Sequence, residues 1–379
     1  MINYADWLVN SLEWAARRGV DIFSCDYLIH ILGRYQVELL NGSWSRDGRK
    51  LSPSTTNNRV GIFCEFLQWM FEMGFRTEFI IPLKKVKLFW KSGRNSHGDK
   101  PIEYRVRVGR VRIRTKALRM PDDNSLRRWL KAVYKKWGYT IGLICESILR
   151  VALRREEVLS LPLYALPANP AEWDIVNPTL AEAAKQIRLT LSHGTKGEWH
   201  GDTKHGTKIG PAREILVPLE LAQKWHDYRR NQRNAAFAKW MKLAPKGAAQ
   251  RKAHAERAGC LFLDDRTGMR LLGTTLYYRW KSVRPPVPGW SVHDGRTWWA
   301  CAKLWRMVKT RLSIRDLRAE TDLAILYSTG KSIIELEISP QLGHVEPSTT
   351  NQYLRWLRDM LSTPVDITET ALESEAHVH

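Results

Sequence analysis

Residues 342–357 read LGHVEPSTTNQYLRWL. A Leu-Gly-His triplet precedes the turn-like Val-Glu-Pro-Ser. TTNQYLRWL then takes up a helical pattern, with Tyr353 about one turn in. In isolation His344 caps a helix and Tyr353 packs in a core. The two lie nine residues apart in a strongly basic chain, and the segments upstream give the pair a second meaning.

The chain has 379 residues, with 60 Lys and Arg against 39 Asp and Glu, a formal net charge of +21. That length suits two domains. The charge suits a polyanion, with nucleic acid first and an acidic membrane second. No apolar run is long enough to span a bilayer. The start, MINYADWLVNSLEWAARRG, lacks the basic-then-apolar order of a signal peptide. The expectation is a cytoplasmic protein, in the bacterial cytoplasm or nucleoid, with no membrane partner. Cys25, Cys64, Cys145, Cys260 and Cys301 form no CxxC pair, so buried free thiols are expected rather than zinc ligands or disulfides. No metal and no cofactor is expected. The seventeen tryptophans read mainly as core, because each carries a large apolar area.

The N-terminal part reads as helices. Trp7, Leu8, Leu12, Trp14 and Ala15 follow a helical period over 3–18, and Cys25–Leu40 forms a second amphipathic run. In LSPSTTNNRVGIFCEFLQWMFEMGF, Ser54 or Thr55 is a candidate cap. The expected buried stripe is Val60, Phe63, Phe66, Leu67, Met70 and Phe71. This gives a helical domain over 1–95. A basic linker over 96–120 follows, then a mixed domain over 121–379 whose tail begins at about 363.

Residues 84–119 hold thirteen Lys or Arg against Asp99 and Glu103 alone. YRVRVGRVRIR alternates as a strand does, placing its arginines largely on exposed faces. A stretch so basic can track a phosphate backbone. The candidate DNA contacts are Lys84, Lys85, Lys87, Arg105, Arg107, Arg110, Arg112 and Arg114. PDDNSLRRWLKAV at 121–133 opens a new helix. An apolar helix follows and breaks at VALRREEVLSL. LAEAAKQIRLTL and REILVPLEL read as two strands joined by a Gly- and Lys-rich connection. The tail carries Asp366, Glu369, Glu373 and Glu375 with no Lys or Arg, a sign reversal that suits a disordered end or docking on a basic neighbour.

Four separated segments now fall into an order. Arg154 stands three residues before Glu157. GTKIGPAREILVPL brings a lysine to a strand pair. SIRDLRAETDLAILYSTG carries Arg318, and LGHVEPSTTNQYLRW carries His344 and Tyr353. The ordered set resembles the catalytic domain of the tyrosine recombinase (phage integrase) family over about 121–362. The N-terminal helices resemble that family's core-binding domain. The resemblance implies a mainly α fold with a small β-sheet (α+β) and a helical core-binding domain beside the catalytic one. It also implies a site-specific recombinase that cleaves and rejoins double-stranded DNA through a 3′-phosphotyrosine intermediate. Arg154 and Arg318 would hold the phosphate, since forked guanidiniums match its oxygens where lysine does not. His344 would donate to the same oxygens or orient Tyr353, the nucleophile. Lys208, or alternatively Lys204, would protonate the departing 5′ oxygen.

One position departs from the family's HxxR pattern, because Arg315 stands where histidine is usual. It can bind phosphate but cannot accept the tyrosine proton. HDGR at 293–296 also fits HxxR. It is set aside because Arg296 lies forty-eight residues before His344, too far for the family spacing. Residues 164–186 read as an insertion. By the same resemblance the partners are recombination sites in duplex DNA, and the working assembly is a homotetramer at a Holliday junction, a monomer or dimer off DNA. The biological job would be integration or excision of a mobile element. The rival readings are a relaxase like the type IB topoisomerases and a DNA-binding protein that kept the fold without the chemistry.

Overall fold

The computed structural model describes residues 2–45, 47–88, 102–113, 118–191, 212–311, 322–343 and 348–362. Arg114, Lys204, Lys208, Arg315, Arg318, His344 and the acidic tail lie outside them. The chain is mostly helical, with two two-stranded antiparallel sheets among the described residues. It divides into two compact units, one built from Met1–Lys116 and one beginning at Ala117.

In the first unit, α1 (Ile2–Arg17) buries Trp14 and Ala15. A π-wound stretch, Tyr27–Gln36, runs on into α2 (Val37–Asn41). It is capped by Asp26, whose carboxylate accepts from the Ile29 N–H. Next, α3 (Pro53–Glu72) opens on Ser52, whose hydroxyl accepts from the Thr55 N–H. The cap therefore falls ahead of Ser54 and Thr55. Pro53, with its preset φ and no N–H, takes the first helical position and moves the start forward. Val60, Phe63, Leu67 and Met70 are buried as expected, whereas Phe66 and Phe71 are only half-buried and Cys64 joins the stripe. Tyr35 links the helices, its ring 4.9 Å from Trp14 and 5.5 Å from Phe63.

The basic stretch is not a free linker throughout. β1 (Leu83–Leu88) pairs antiparallel with β2 (Ile102–Arg107), Leu83 opposite Arg107 and Leu88 opposite Ile102. The turn after β2 is tied to the helices. Tyr27 Oη donates to Val108 O, Gln36 Nε2 to Gly109 O and Asn57 Nδ2 to Val111 O. Arg105, Arg110 and Arg112 are exposed. Arg107 breaks the expected alternation. Its guanidinium turns inward and donates to Gln36 Oε1, Tyr27 Oη and Asn57 Oδ1. Of the expected DNA contacts, Arg107 is thus spent on the fold.

The second unit opens with α4 (Asp123–Trp137), its first turn capped by Asp122 accepting from the Ser125 N–H. α5 (Tyr139–Val151) is buried from Thr140 to its end. It stops at Ala152, which takes a left-handed φ of 59°. That conformation costs a residue with a Cβ about 1 kcal/mol, and it turns the chain sharply into α6 (Arg155–Leu159). β3 (Gln186–Leu191) pairs antiparallel with β4 (Arg213–Pro218), Leu191 opposite Arg213. Three short 3-10 turns occupy the expected insertion, and Arg229 fastens it by donating to the carbonyls of Leu166, Pro167 and Ala168. Beyond β4 come α7 (Leu219–Arg230), α8 (Gln232–Lys242), α9 (Ala248–Glu256) and α10 (Gly273–Lys281).

The central helix is α11 (Val292–Arg311), which buries Trp298, Trp299, Cys301, Leu304 and Trp305. α12 (Asp322–Ile333) continues through a π-wound stretch, Ile334–Ile338, into α13 (Ser339–Leu342), and α14 (Ser348–Ser362) follows. α14 buries Tyr353, Leu354, Trp356, Leu357 and Met360. All five cysteines are buried and reduced. No helix among the described residues is long and apolar enough to cross a membrane.

Candidate functional site

Glu157 is the hub. It sits on α6 with its side chain 1% exposed. Its Oε2 accepts from the Arg154 backbone N–H at 2.7 Å and from Arg213 Nη2 at 2.8 Å. Its Oε1 accepts from Arg154 Nη1 and Arg213 Nη1, each at 2.7 Å. Four donors fill the acceptor sites of one carboxylate. Burial by itself would raise the Glu157 pKa. The hydrogen bonds and charge of Arg213, the Arg154 N–H and the Arg296 charge outweigh it, so the carboxyl lies below its ordinary 4.5.

A third guanidinium stands against the same carboxylate. Arg296, on the second turn of α11, lies 3.9 Å from Glu157 Oε2 with its side chain 3% exposed. It donates to two backbone carbonyls, Ala152 O at the end of α5 and Leu342 O at the end of α13. Desolvation, then the charges of Arg154 and Arg213, brings its pKa down to about 9, with Glu157 and Tyr353 pulling the other way. At neutral pH it is still a cation. Among the described residues three guanidiniums therefore share one carboxylate, a net +2.

The segment that carries the Gly-His motif is built onto this cluster. Arg154 Nη2 donates to Gly343 O at 3.3 Å, and Arg213 Nε to Gln341 O at 3.1 Å. Gln341 in turn bridges Val151 O and the backbone of Leu216. Gly343 has a left-handed φ of 59°, and a Cβ there would meet Arg213 Cδ at 2.8 Å. Glycine is needed on both counts. His344 is the next residue. Arg154, with its side chain 27% exposed, is the member of the cluster open to solvent.

Tyr353 is buried on α14, 3% exposed. Burial and the Cys301 thiol push its phenol above the ordinary 10, while the Arg296 charge pulls it down. His293 sits on the first turn of α11, three residues before Arg296, and keeps an exposed edge. Desolvation by the packed protein, then Arg296 and Arg154, holds it below 6.5 against Asp294.

Of the catalytic residues expected from sequence, Arg154 and Tyr353 are described, and the charge of each bears on Arg296. His344 directly follows Gly343, and Lys208 lies in the connection that leaves β3 and returns at Arg213; neither is among the described residues, nor is Lys204. Arg315 and Arg318 belong to the segment that follows Arg311. The arginine that stands beside Arg154 is Arg296, which chain spacing had set aside. α11, α12 and α13 run out and back, returning Leu342 to the Arg296 guanidinium. Sequence reading also missed Arg213 and the hub role of Glu157. The HDGR motif was the visible signal for Arg296. Among the described residues no group of three His, Cys, Asp or Glu could hold a metal ion.

No protein-family model matches the chain, and no curated protein does. Among solved structures the chain is similar to one titled "Crystal structure of XerA recombinase". The identity is 11%, the match covers 94% of this chain and 90% of that one, and the TM-score is 0.33.

Proposed function

We propose that the chain is a DNA strand-breaking and rejoining enzyme of the tyrosine recombinase type. The observation that carries the reading is the charge of the Glu157 cluster, three guanidiniums on one carboxylate, with the Arg296 charge felt at the Tyr353 phenol. A phosphodiester brings one negative charge, and its pentavalent transition state brings a second. A fixed +2 offers the complement without reorganisation. Arg154 and Arg296 are the phosphate-binding pair in this reading. Arg213 and Glu157 hold them in place, and Arg296 takes the role first expected of Arg318.

The Tyr353 oxygen attacks phosphorus and forms the phosphotyrosine bond as the bond to the 5′ oxygen breaks. The phenol proton goes to His344 or to water, and the 5′ oxygen takes a proton from Lys208 or Lys204. Rejoining reverses each transfer, so neither ATP nor metal enters the balance. Four protomers would act on two duplexes. The exposed Lys84, Lys85, Arg105, Arg110 and Arg112 would meet the backbone of the same DNA.

The buried state of Tyr353 favours a second reading, a DNA-binding protein in which this tyrosine only packs. Nicked suicide duplexes tiled across the DNA flanking the gene separate the two on a denaturing gel. Wild type is expected to form a covalent adduct and Tyr353→Phe none, with both still binding DNA. An adduct with Tyr353→Phe overturns the nucleophile assignment. Binding with no adduct on any tile supports the packing reading.

A further inference from the structure

The most lopsided surface outside the site is the helical hairpin α8–α9. Residues 229–257 hold nine Lys or Arg and a single acid, Glu256. Three of the nine serve the fold. Arg229 fastens the insertion, Arg233 donates to Ala258 O and Cys260 O, and Lys239 donates to Asp265 O. The other six, Arg230, Lys242, Lys246, Arg251, Lys252 and Arg257, are exposed. None forms an ion pair among the described residues.

These cations stand on a fixed platform. Ala236, Ala258, Cys260 and Leu263, with Phe237 and Trp240 against them, make a small core of their own. The Trp240 and His254 rings stack 4.0 Å apart at 7°. Trp240 Nε1 donates to His254 O, and His254 Nε2 meets Trp240 O at 2.9 Å. Yet α9 has no buried residue. A nine-residue helix that is polar or small all round is marginal by itself, and its cations repel one another. His254 holds α9 on α8, and none of the six exposed cations takes part in those contacts.

We propose that the α8–α9 hairpin grips the phosphate backbone of duplex DNA. This rests on the DNA-acting reading above and extends it to a contact separated from Arg213 by β4 and the length of α7. Each helix is about 13–17 Å long, roughly half a ~34 Å turn of duplex, so the hairpin matches one backbone segment. An acidic membrane is a poorer fit. Interfacial helices carry bulky apolar residues opposite the charge, and the uncharged positions of α9 are Ala, Gln and His.

The test is the salt dependence of binding to a 60-base-pair duplex, with Lys242→Gln, Lys246→Gln, Arg251→Gln and Lys252→Gln combined in the full chain. Each neutralised phosphate contributes about 0.9 to the slope of log K against log salt. The variant is expected to bind with a slope shallower by about 3–4, and circular dichroism checks that it remains folded. An unchanged slope overturns the hairpin contact while the recombinase reading stands. A wild-type protein that shows no salt-dependent DNA binding overturns both. Soluble poly-glutamate that displaces a fluorescently labelled protein from DNA as well as a second duplex does, together with an unchanged slope, identifies an acidic polypeptide as the partner instead.

Discussion

Two buried ionic clusters sit within eleven residues of each other in the second unit, and their arithmetic differs. At Glu146, two carboxylates meet two cations. Arg150 pairs with Glu146 and Glu220 at 3.1 Å each, Lys224 with Glu146 at 2.9 Å, and Tyr134 Oη donates to Glu146 at 2.6 Å. The charges cancel, and the cluster fastens α4, α5 and α7 to one another. At Glu157, one carboxylate meets three guanidiniums. Both clusters are hydrogen-bonded as a fold requires, but only the second is left with charge to spend. A structural cluster tends toward neutrality because unpaired buried charge is costly. A surplus of cations is tolerated where an anion completes it.

The largest effect expected from this contrast is on stability. Glu157→Gln keeps the shape and leaves three guanidiniums around a neutral amide, so it should cost about 3–5 kcal/mol, the range for breaking a buried pair. Glu146→Gln leaves Glu220 to hold Arg150 and Lys224, and should cost about 1–3 kcal/mol. Sulfate sharpens the difference. An anion bound only by the folded state stabilises by mass action. Thermal melts should therefore show sulfate raising the Glu157→Gln midpoint well above its effect on Glu146→Gln. Equal losses with equal responses to sulfate would remove the distinction between the clusters.

The next effect concerns which arginine completes the +2 site. Arg296→Lys keeps a charge but loses the fork that spans Ala152 O and Leu342 O. Adduct formation should fall by about 10²–10³-fold, as when one fixed transition-state donor is lost, with duplex binding retained. Arg318→Ala should change adduct formation by less than about tenfold. The comparison is read on the same nicked duplex under single-turnover conditions. If Arg318→Ala is dead and Arg296→Lys is active, the two arginines exchange roles.

The place of Arg296 against Glu157 marks the boundary of what the sequence discloses. Helix starts carry local chemistry, so the start of α4 in PDDNSLRRW was legible, and the displaced cap at Ser52 missed by only two or three positions because Pro53 claims the first turn. Arg154 was legible because Glu157 lies three residues on, within one turn. Arg296 was not, because its neighbours are far along the chain, Ala152 on one side and Leu342 on the other. Spacing counts residues, and helices that fold back on one another erase the count. Arg213 was hidden for the same reason. Its carboxylate lies fifty-six residues upstream, and no local pattern pairs them.

The smallest effect separates fold from function within the basic hairpin, where Arg105 and Arg107 lie two residues apart on β2 and a regular alternation would give them one face. Arg105 is exposed. Arg107 reaches back to Gln36, Tyr27 and Asn57, so its donors answer neutral acceptors and leave little for a phosphate. Arg107→Gln should cost about 1–3 kcal/mol, the range for stranding buried acceptors. It should lower the melting of the first unit without altering the salt slope of DNA binding. Arg105→Gln should do the reverse, leaving the melting unchanged and taking about 0.9 from the slope. A residue that moved both would join the two roles, and the alternation of YRVRVGRVRIR would then describe a single phosphate-facing edge rather than one arginine facing water and one facing the helices.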